Sequence, residues 1–487
     1  MDVTTGLIII AVMYGILWFF DNFFKTCAHY PYIRFLEGTG FQIGFLSIKW
    51  KTKAFNRLII RWGTSRPRFL HLWFSLGLYA TLILLPVAIV LLLYSLFQNF
   101  SSSSGESKLA IEPIIPGVNL PASELGYYSL TLILCSVVHE LGHALAAVLE
   151  DVNIIDIGAN ILFVLPAAYV NLSTDKFSSL TRKGTLKILC AGIWHNLILT
   201  FVAFVLFLSL PFLFSTFYHV NKGVTVINMA RRSPLSGYRG LDIGDTIFKI
   251  NECKVYDENS WYDCLGNLSG YKSAYCIESD LIHGLDESIP LKHLENGNLD
   301  CCDNKKSKNI CFEYLDMADG ILELPTHACL PARAIVEKST NFCSSDSHNC
   351  PNNLYCFRPI LANGTNLFKI NCNTKDVIYL GLTSDIYRTV EVSSYIPKNL
   401  LFTTTDLPDV ITKFVKYTAV FSLGLAIVNT IPFMYMDGQH IAEVLGIILL
   451  RKNLGKNGAK LLTITITWVF TFLLITHCLI TVSKILL

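Results

Sequence analysis

Three side chains in the stretch VVHELGHALA (Val137–Ala146) have the types and spacing to hold a metal ion and split water. On a helix His139 and His143 lie one turn apart on one face, so both imidazoles reach the same ion. Glu140, beside them, suits proton transfer to and from a water. The H-E-x-x-H pattern is short, and two surface histidines flanking a glutamate would also satisfy it. Its setting argues otherwise. The fourteen residues Leu125–Val138 carry no charge, and ionisable groups inside so apolar a segment are costly unless they have a partner or a task. Gly142 and the small Ala144, Ala146 and Ala147 suit the close approach of neighbouring helices.

A catalytic zinc takes three protein ligands and keeps one position open. Glu150 and Asp151 lie about two turns beyond His143, where a solvated acid at a membrane edge is expected. The stretch NTIPFMYMDGQH (Asn429–His440) offers a better third ligand, because Asp437 arrives after twenty uncharged residues. Pro432 is expected to kink the helix that leads there, and Gly438 to permit a sharp exit. An acid at a helix end facing water is the alternative reading of Asp437. In AGIWHN (Ala191–Asn196) a further asparagine falls within an apolar run. Asn196 and Asn429 are candidates for holding a substrate backbone or a developing oxyanion, or for tying helices together; His195 reads as structural.

The elements that must position these groups are apolar. Of 487 residues 52% are hydrophobic and 16% charged, against about a quarter charged in soluble domains. Mean hydropathy is +0.46. The charge-free runs Thr5–Phe20, Phe69–Gln98, Leu125–Val138, Ile188–Phe217, Tyr417–Met436 and Leu461–Ser483 approach or exceed the roughly 20 residues that cross a bilayer. Thr5–Phe20 lacks a basic leader and a small-residue cleavage site, so it reads as a retained helix. Ile154–Val170, broken by Gly158 and Pro166, reads as a re-entrant or interfacial hairpin, tolerated at depth only where protein or a wet cavity covers it. A polytopic α-helical membrane protein of about six spans is therefore expected. The net charge of +2 gives no reason to invoke nucleic acid.

Orientation follows from charge. Asp21–Arg68 holds nine Lys/Arg against two acids, and such loops stay in the cytosol. The histidine motif then lies towards the cytosolic half, and Ser101–Ser104 and the long hydrophilic segment after Phe217 lie in the lumen. Of fifteen cysteines, eleven fall between Cys253 and Cys372, inside that segment. Their spacings lack paired C-x-x-C knuckles, so disulfides of a secretory lumen are expected. Eleven is odd, so one thiol is free or pairs elsewhere. Asn99, Asn267 and Asn363 head sequons on the same side and are candidate glycosylation sites.

The pairing of H-E-L-G-H in an apolar helix with N-x-x-P-x-x-x-x-D-G near the C-terminus resembles the site-2 protease family of intramembrane metalloproteases. Ala191–Asn196 is similar to that family's G-x-x-x-N element, and the Ser-rich loop and Cys-rich segment resemble its animal members. One departure is Met436, where leucine is usual. The stretch 222–252, with SPLSGYRGL before GDTIFKIN, resembles a PDZ domain, and Val377–Val392 alternates well enough to supply closing strands. The expected organisation is 1–98 (two helices and a basic loop), 99–124 (lumenal loop), 125–217 (first part of the catalytic core), 218–405 (lumenal PDZ-like domain with a Cys-rich insertion over about 253–375) and 406–487 (the rest of the core).

The resemblance implies one zinc per chain on His139, His143 and Asp437, with Glu140 as general base. It implies a multi-pass protein of the Golgi or endoplasmic reticulum. Its substrates would be membrane-tethered transcription factors, cut within the bilayer after a first lumenal cut, with no direct contact to nucleic acid. A membrane metal transporter would need a path of several ligands and gives Glu140 no task. An inactive scaffold would be expected to have lost one of the four motif residues, and all four are present.

Overall fold

A computed structural model describes residues 3–27, 29–101, 124–163, 165–268, 270, 273–293, 299–303, 309–315, 324–339, 341–343, 350–351, 353–399 and 404–486. The Ser-rich loop, 102–123, lies outside them. The chain forms two compact units, Met1–Leu208 with Thr412–Leu487, and Ser209–Ile411.

The first unit opens with α1 (Val3–Cys27) and α2 (His29–Thr39). A hairpin of β1 (Phe41–Gly44) and β2 (Ser47–Thr52) follows, then α3 (Asn56–Ser65) and the long α4 (Pro67–Ser101). The histidine motif lies in α5 (Leu125–Leu149). The expected hairpin is real and is made of strands, β3 (Ile154–Leu162) and β4 (Leu165–Leu172). They extend the β1–β2 hairpin into one antiparallel sheet, ordered β1-β2-β3-β4, so the basic loop and the hairpin about a hundred residues later form one element. A short α6 (Thr174–Ser179) leads to α7 (Arg182–Phe214). The chain returns to this unit in the Leu407–Thr430 helix and ends in Asp437–Leu486, broken at Gly455, whose φ of 71° is not helical. Six helices, one for each apolar run, are long and apolar enough to cross a membrane, which makes this a multi-pass membrane protein. Glu150 pairs with Lys187 at 2.8 Å, tying the end of α5 to the start of α7 rather than joining the histidines.

The second unit holds two sheets. Strands Asp376–Leu382, Thr365–Cys372, Thr246–Ile250, Tyr218–Met229 and Val390–Pro397 pair in that order, with Cys253–Lys254 on the edge of Thr246–Ile250. Trp261, from the helix Glu258–Leu268, is fully buried against this sheet's Ile247, Ile250 and Phe368. A second, five-stranded sheet draws all its strands from between Ala274 and Pro359. It interrupts the first sheet, with bounds narrower than the 253–375 read from cysteine spacing. Between the expected closing strands the chain makes a helical turn, Thr383–Thr389.

Ten of the eleven cysteines pair here: Cys253–Cys264, Cys276–Cys350, Cys301–Cys311, Cys302–Cys329 and Cys343–Cys356. The odd thiol is Cys372. Burial, helped by nearby Asp245, pushes it up to about 12, so almost no thiolate exists at neutral pH to attack its neighbours' disulfides. Asn363, exposed in a turn before Gly364, suits an attached glycan better than Asn267, which is exposed but helical. The backbone of Asn99 lies near the end of α4.

Candidate active site

α5 holds both histidines buried on its inner face. Its packing against α7 requires glycine at two places. A Cβ on Gly142 would stand 2.5 Å from Ala191 O, and one on Gly192 would stand 2.3 Å from His143 Nε2 and 2.7 Å from His139 Nε2. α7 therefore approaches the imidazoles without a side chain between.

Asp437 reaches them by another route. The Leu407–Thr430 helix ends just before Ile431, and residues 431–436 form an irregular turn. Pro432 thus follows a helix end instead of kinking a continuous helix, since its ring and missing N–H stop the ladder. Ile431 and Phe433 are buried against Ala88 and Leu92 of α4, and Met434 N–H donates to Thr471 Oγ1 at 3.1 Å. Tyr435 takes a φ of 67°, a conformation that costs a non-glycine residue about 1–2 kcal/mol. The anchors on either side hold that strained turn. Asp437 opens the last helix, where the N-terminal dipole favours a carboxylate. Gly438 takes no unusual φ; a Cβ there would stand 2.1 Å from Ile431 O, so its task is close approach.

The three side chains converge. Asp437 Oδ2 lies 2.9 Å from His139 Nε2 and 3.1 Å from His143 Nε2, and the two Nε2 atoms are 3.1 Å apart. His143 Nδ1–H donates to Ile188 O at 2.8 Å, which leaves Nε2 as a lone pair. Asn196 is fully buried, with its amide nitrogen 3.2 Å from His139 Nδ1 and its Oδ1 without a partner. With the amide turned over, Oδ1 accepts from His139 Nδ1–H, and that Nε2 too is a lone pair. Two lone pairs and a carboxylate so close repel one another unless they share a cation. Ligands about 2.0 Å from a tetrahedral zinc stand about 3.3 Å apart, so the donor set fits. His195, by contrast, is spoken for: Nδ1 meets Val138 O at 3.3 Å and Nε2 accepts from Trp73 Nε1–H at 3.3 Å.

Glu140 faces a cavity of about 600 Å³, lined almost wholly by apolar groups of α3, α5, β3 and β4. Val170, on the sheet's edge strand β4, lines the same cavity. One turn before Glu140, Ser136 Oγ accepts from Ala168 N–H at 2.6 Å. Sequence reading missed Ser136; its only signal is the i−4 spacing from Glu140. That hydrogen bond clips the edge strand to the catalytic helix. Ser136→Ala is expected to cost about 1 kcal/mol of that clip and to slow turnover about fivefold, with Ser136→Thr restoring it. An unchanged rate in a bilayer assay would leave the clip without a role. Asn429 donates its Nδ2–H to Leu425 O at 3.0 Å within its own helix.

This arrangement is that of an intramembrane metalloprotease. Residues 127–474 match the model of peptidase family M50, and the chain belongs to that family, whose members are zinc metalloproteases. It is also similar to the Arabidopsis thaliana protein named membrane-bound transcription factor site-2 protease homolog, 28% identical over 443 residues, covering 81% of this chain and 84% of the relative.

Proposed function

We propose that this protein is a zinc endopeptidase that cuts membrane-tethered transcription factors, of the sterol-regulatory and stress-response type, within their transmembrane segments after a first lumenal cut. Cleavage frees the cytosolic domain. The observation that supports it most is the convergence of His139, His143 and Asp437 beside Glu140, at the wall of an apolar cavity inside a helical membrane unit. His139, His143 and Asp437 would hold the metal. When bound, zinc supplies the Lewis acidity that makes water nucleophilic near neutral pH.

The chain's own residues do the rest. Glu140 takes the proton from the attacking water and passes it to the leaving amide nitrogen. The cavity's apolar lining receives an unwound stretch of substrate helix and excludes bulk water. Asn196 fixes the tautomer and ring orientation of His139. Asn429, near the end of the helix leading to Asp437, is assigned to the substrate backbone or the developing oxyanion. The basic loop is assigned to the cytosol and the disulfide-bonded unit to the lumen of the Golgi or endoplasmic reticulum. The six-stranded sheet of that unit is read as PDZ-like, and the unit as excluding substrates that still carry a bulky lumenal domain.

The test is to express the chain in cells lacking site-2 activity, with a tethered factor whose lumenal cut can be switched off. Release of the cytosolic fragment is expected only when the lumenal cut occurs, and replacing 218–405 by a short linker should relax that requirement. No release after the lumenal cut would overturn the substrate class; unrelaxed selectivity would overturn the role of the lumenal unit.

A further inference from the structure

We propose that the platform of β1, β2 and α3 is a binding site for anionic phospholipids, and that the bound lipid governs access to the cavity beside Glu140. Between Glu37 and Glu106 the chain has no acid. Within that span Lys49, Lys51, Lys53, Arg57 and Arg61 are all exposed, and none forms an ion pair among the described residues. Each element turns its cations away from the cavity. On β2 the two-residue period sets Lys49 and Lys51 on the face opposite Trp50 and Thr52, which line the cavity. On α3 Arg57 and Arg61 are one turn apart, while Leu58, Ile59 and Trp62 line the cavity.

A purely orienting charge bias needs only cations in a loop. Here exposed apolar side chains outside the cavity lining accompany them: Phe45, at the hairpin tip, is 74% exposed, and Ile60, between Arg57 and Arg61 on α3, 46%. Apolar side chains among fixed cations, directly before the span that begins at Pro67, match the boundary between acyl chains and negatively charged headgroups. Nucleic acid or an acidic protein would neutralise the charges and leave Phe45 and Ile60 in water. The platform is also firmly joined to the catalytic helix. Gly63 of α3 is so close to α5 that a Cβ would stand 2.6 Å from Val148 Cγ1, and β2 reaches Ala168, which donates to Ser136 of α5, through β3 and β4. A lipid seated on the outer face therefore loads the wall of the cavity.

The inference rests in part on the proteolytic reading above, so the experiment has one readout that needs no catalysis. The purified full-length protein is placed in nanodiscs of phosphatidylcholine alone or with phosphatidylserine, the same lipids in both leaflets. Lipids retained after extraction are counted by native mass spectrometry, and cleavage of a transmembrane peptide is timed alongside. Phosphatidylserine is expected to be retained about tenfold over its share of the bilayer, with the preference lost in high salt. A variant carrying Lys49→Gln, Lys51→Gln, Lys53→Gln, Arg57→Gln and Arg61→Gln should lose the preference while cleaving normally in phosphatidylcholine. Equal retention of both lipids by the native chain, or retention insensitive to salt, would overturn the binding site, whatever the variant does. Preferential retention with a cleavage rate indifferent to phosphatidylserine would overturn the control of access. A chain that cleaves nothing but retains phosphatidylserine would overturn the proteolytic reading and leave the lipid site standing.

Discussion

Glu140→Gln is expected to keep the fold and the metal and to slow peptide hydrolysis by about 10²–10⁴-fold, the range a positioned general base supplies. Glutamine and glutamate have nearly the same shape. Glu140 is partly buried and lines the cavity. Glutamine fills the same space, so the cavity keeps its volume, and Ser136 still holds the edge strand. His139, His143 and Asp437 do not depend on Glu140 for their mutual contacts. The amide cannot take a proton from water, and that is the only capacity removed. Single-turnover cleavage of a transmembrane peptide in a bilayer, with zinc content measured on the same sample, separates the two effects. Full zinc with a collapsed rate is the expected result. Full zinc with an undiminished rate would leave Glu140 as part of the cavity wall and move the proton to another group.

The site was legible in the sequence for the same reason it is confined to a membrane. In a chain with 16% charged residues, His139, Glu140, His143 and Asp437 stand out at the ends of charge-free runs, because the bilayer penalises every ionisable group without a task. The six helices were legible because span length is set by bilayer thickness. Pairing was not. Nothing local to Ser47–Thr52 says that it will join Ile154–Leu162, about a hundred residues on, and Gly158 and Pro166 weakened the strand signal of the hairpin they sit in. The cysteine count showed that one thiol would be left over, but only the fold shows it to be Cys372. Pro432 gave the right place and the wrong geometry: a proline marks a break, while the anchoring of Ile431 and Phe433 decides whether the chain kinks or stops. Asn196 stood out as a polar residue in an apolar run; its place behind His139 depends on the crossing of α5 and α7, which no spacing within either helix encodes.

That crossing carries the second large effect. Gly192→Ala is expected to weaken zinc binding by at least about 100-fold, the upper end of what losing the support of a metal ligand costs, and to abolish turnover with it. The added methyl would lie 2.3 Å from His143 Nε2 and 2.7 Å from His139 Nε2 and Cε1, well inside the roughly 3.5–4.0 Å at which such atoms rest. Two responses are open. The imidazoles can rotate away, which breaks His143 from Ile188 O and His139 from Asn196. Or α7 can retreat from α5, which opens the contact of Gly142 with Ala191 and exposes residues buried between the helices. Either separates the donors that now stand within 3.1 Å. Gly424→Ala on the Leu407–Thr430 helix is the matched control: nothing lies within 4 Å of its added methyl, and alanine there favours the helix by about 1 kcal/mol. Chelator competition on the purified proteins reads the difference directly. If Gly192→Ala holds zinc as tightly as the control, the metal is not held where the two histidines and Asp437 meet, and the glycine serves only to let two helices touch.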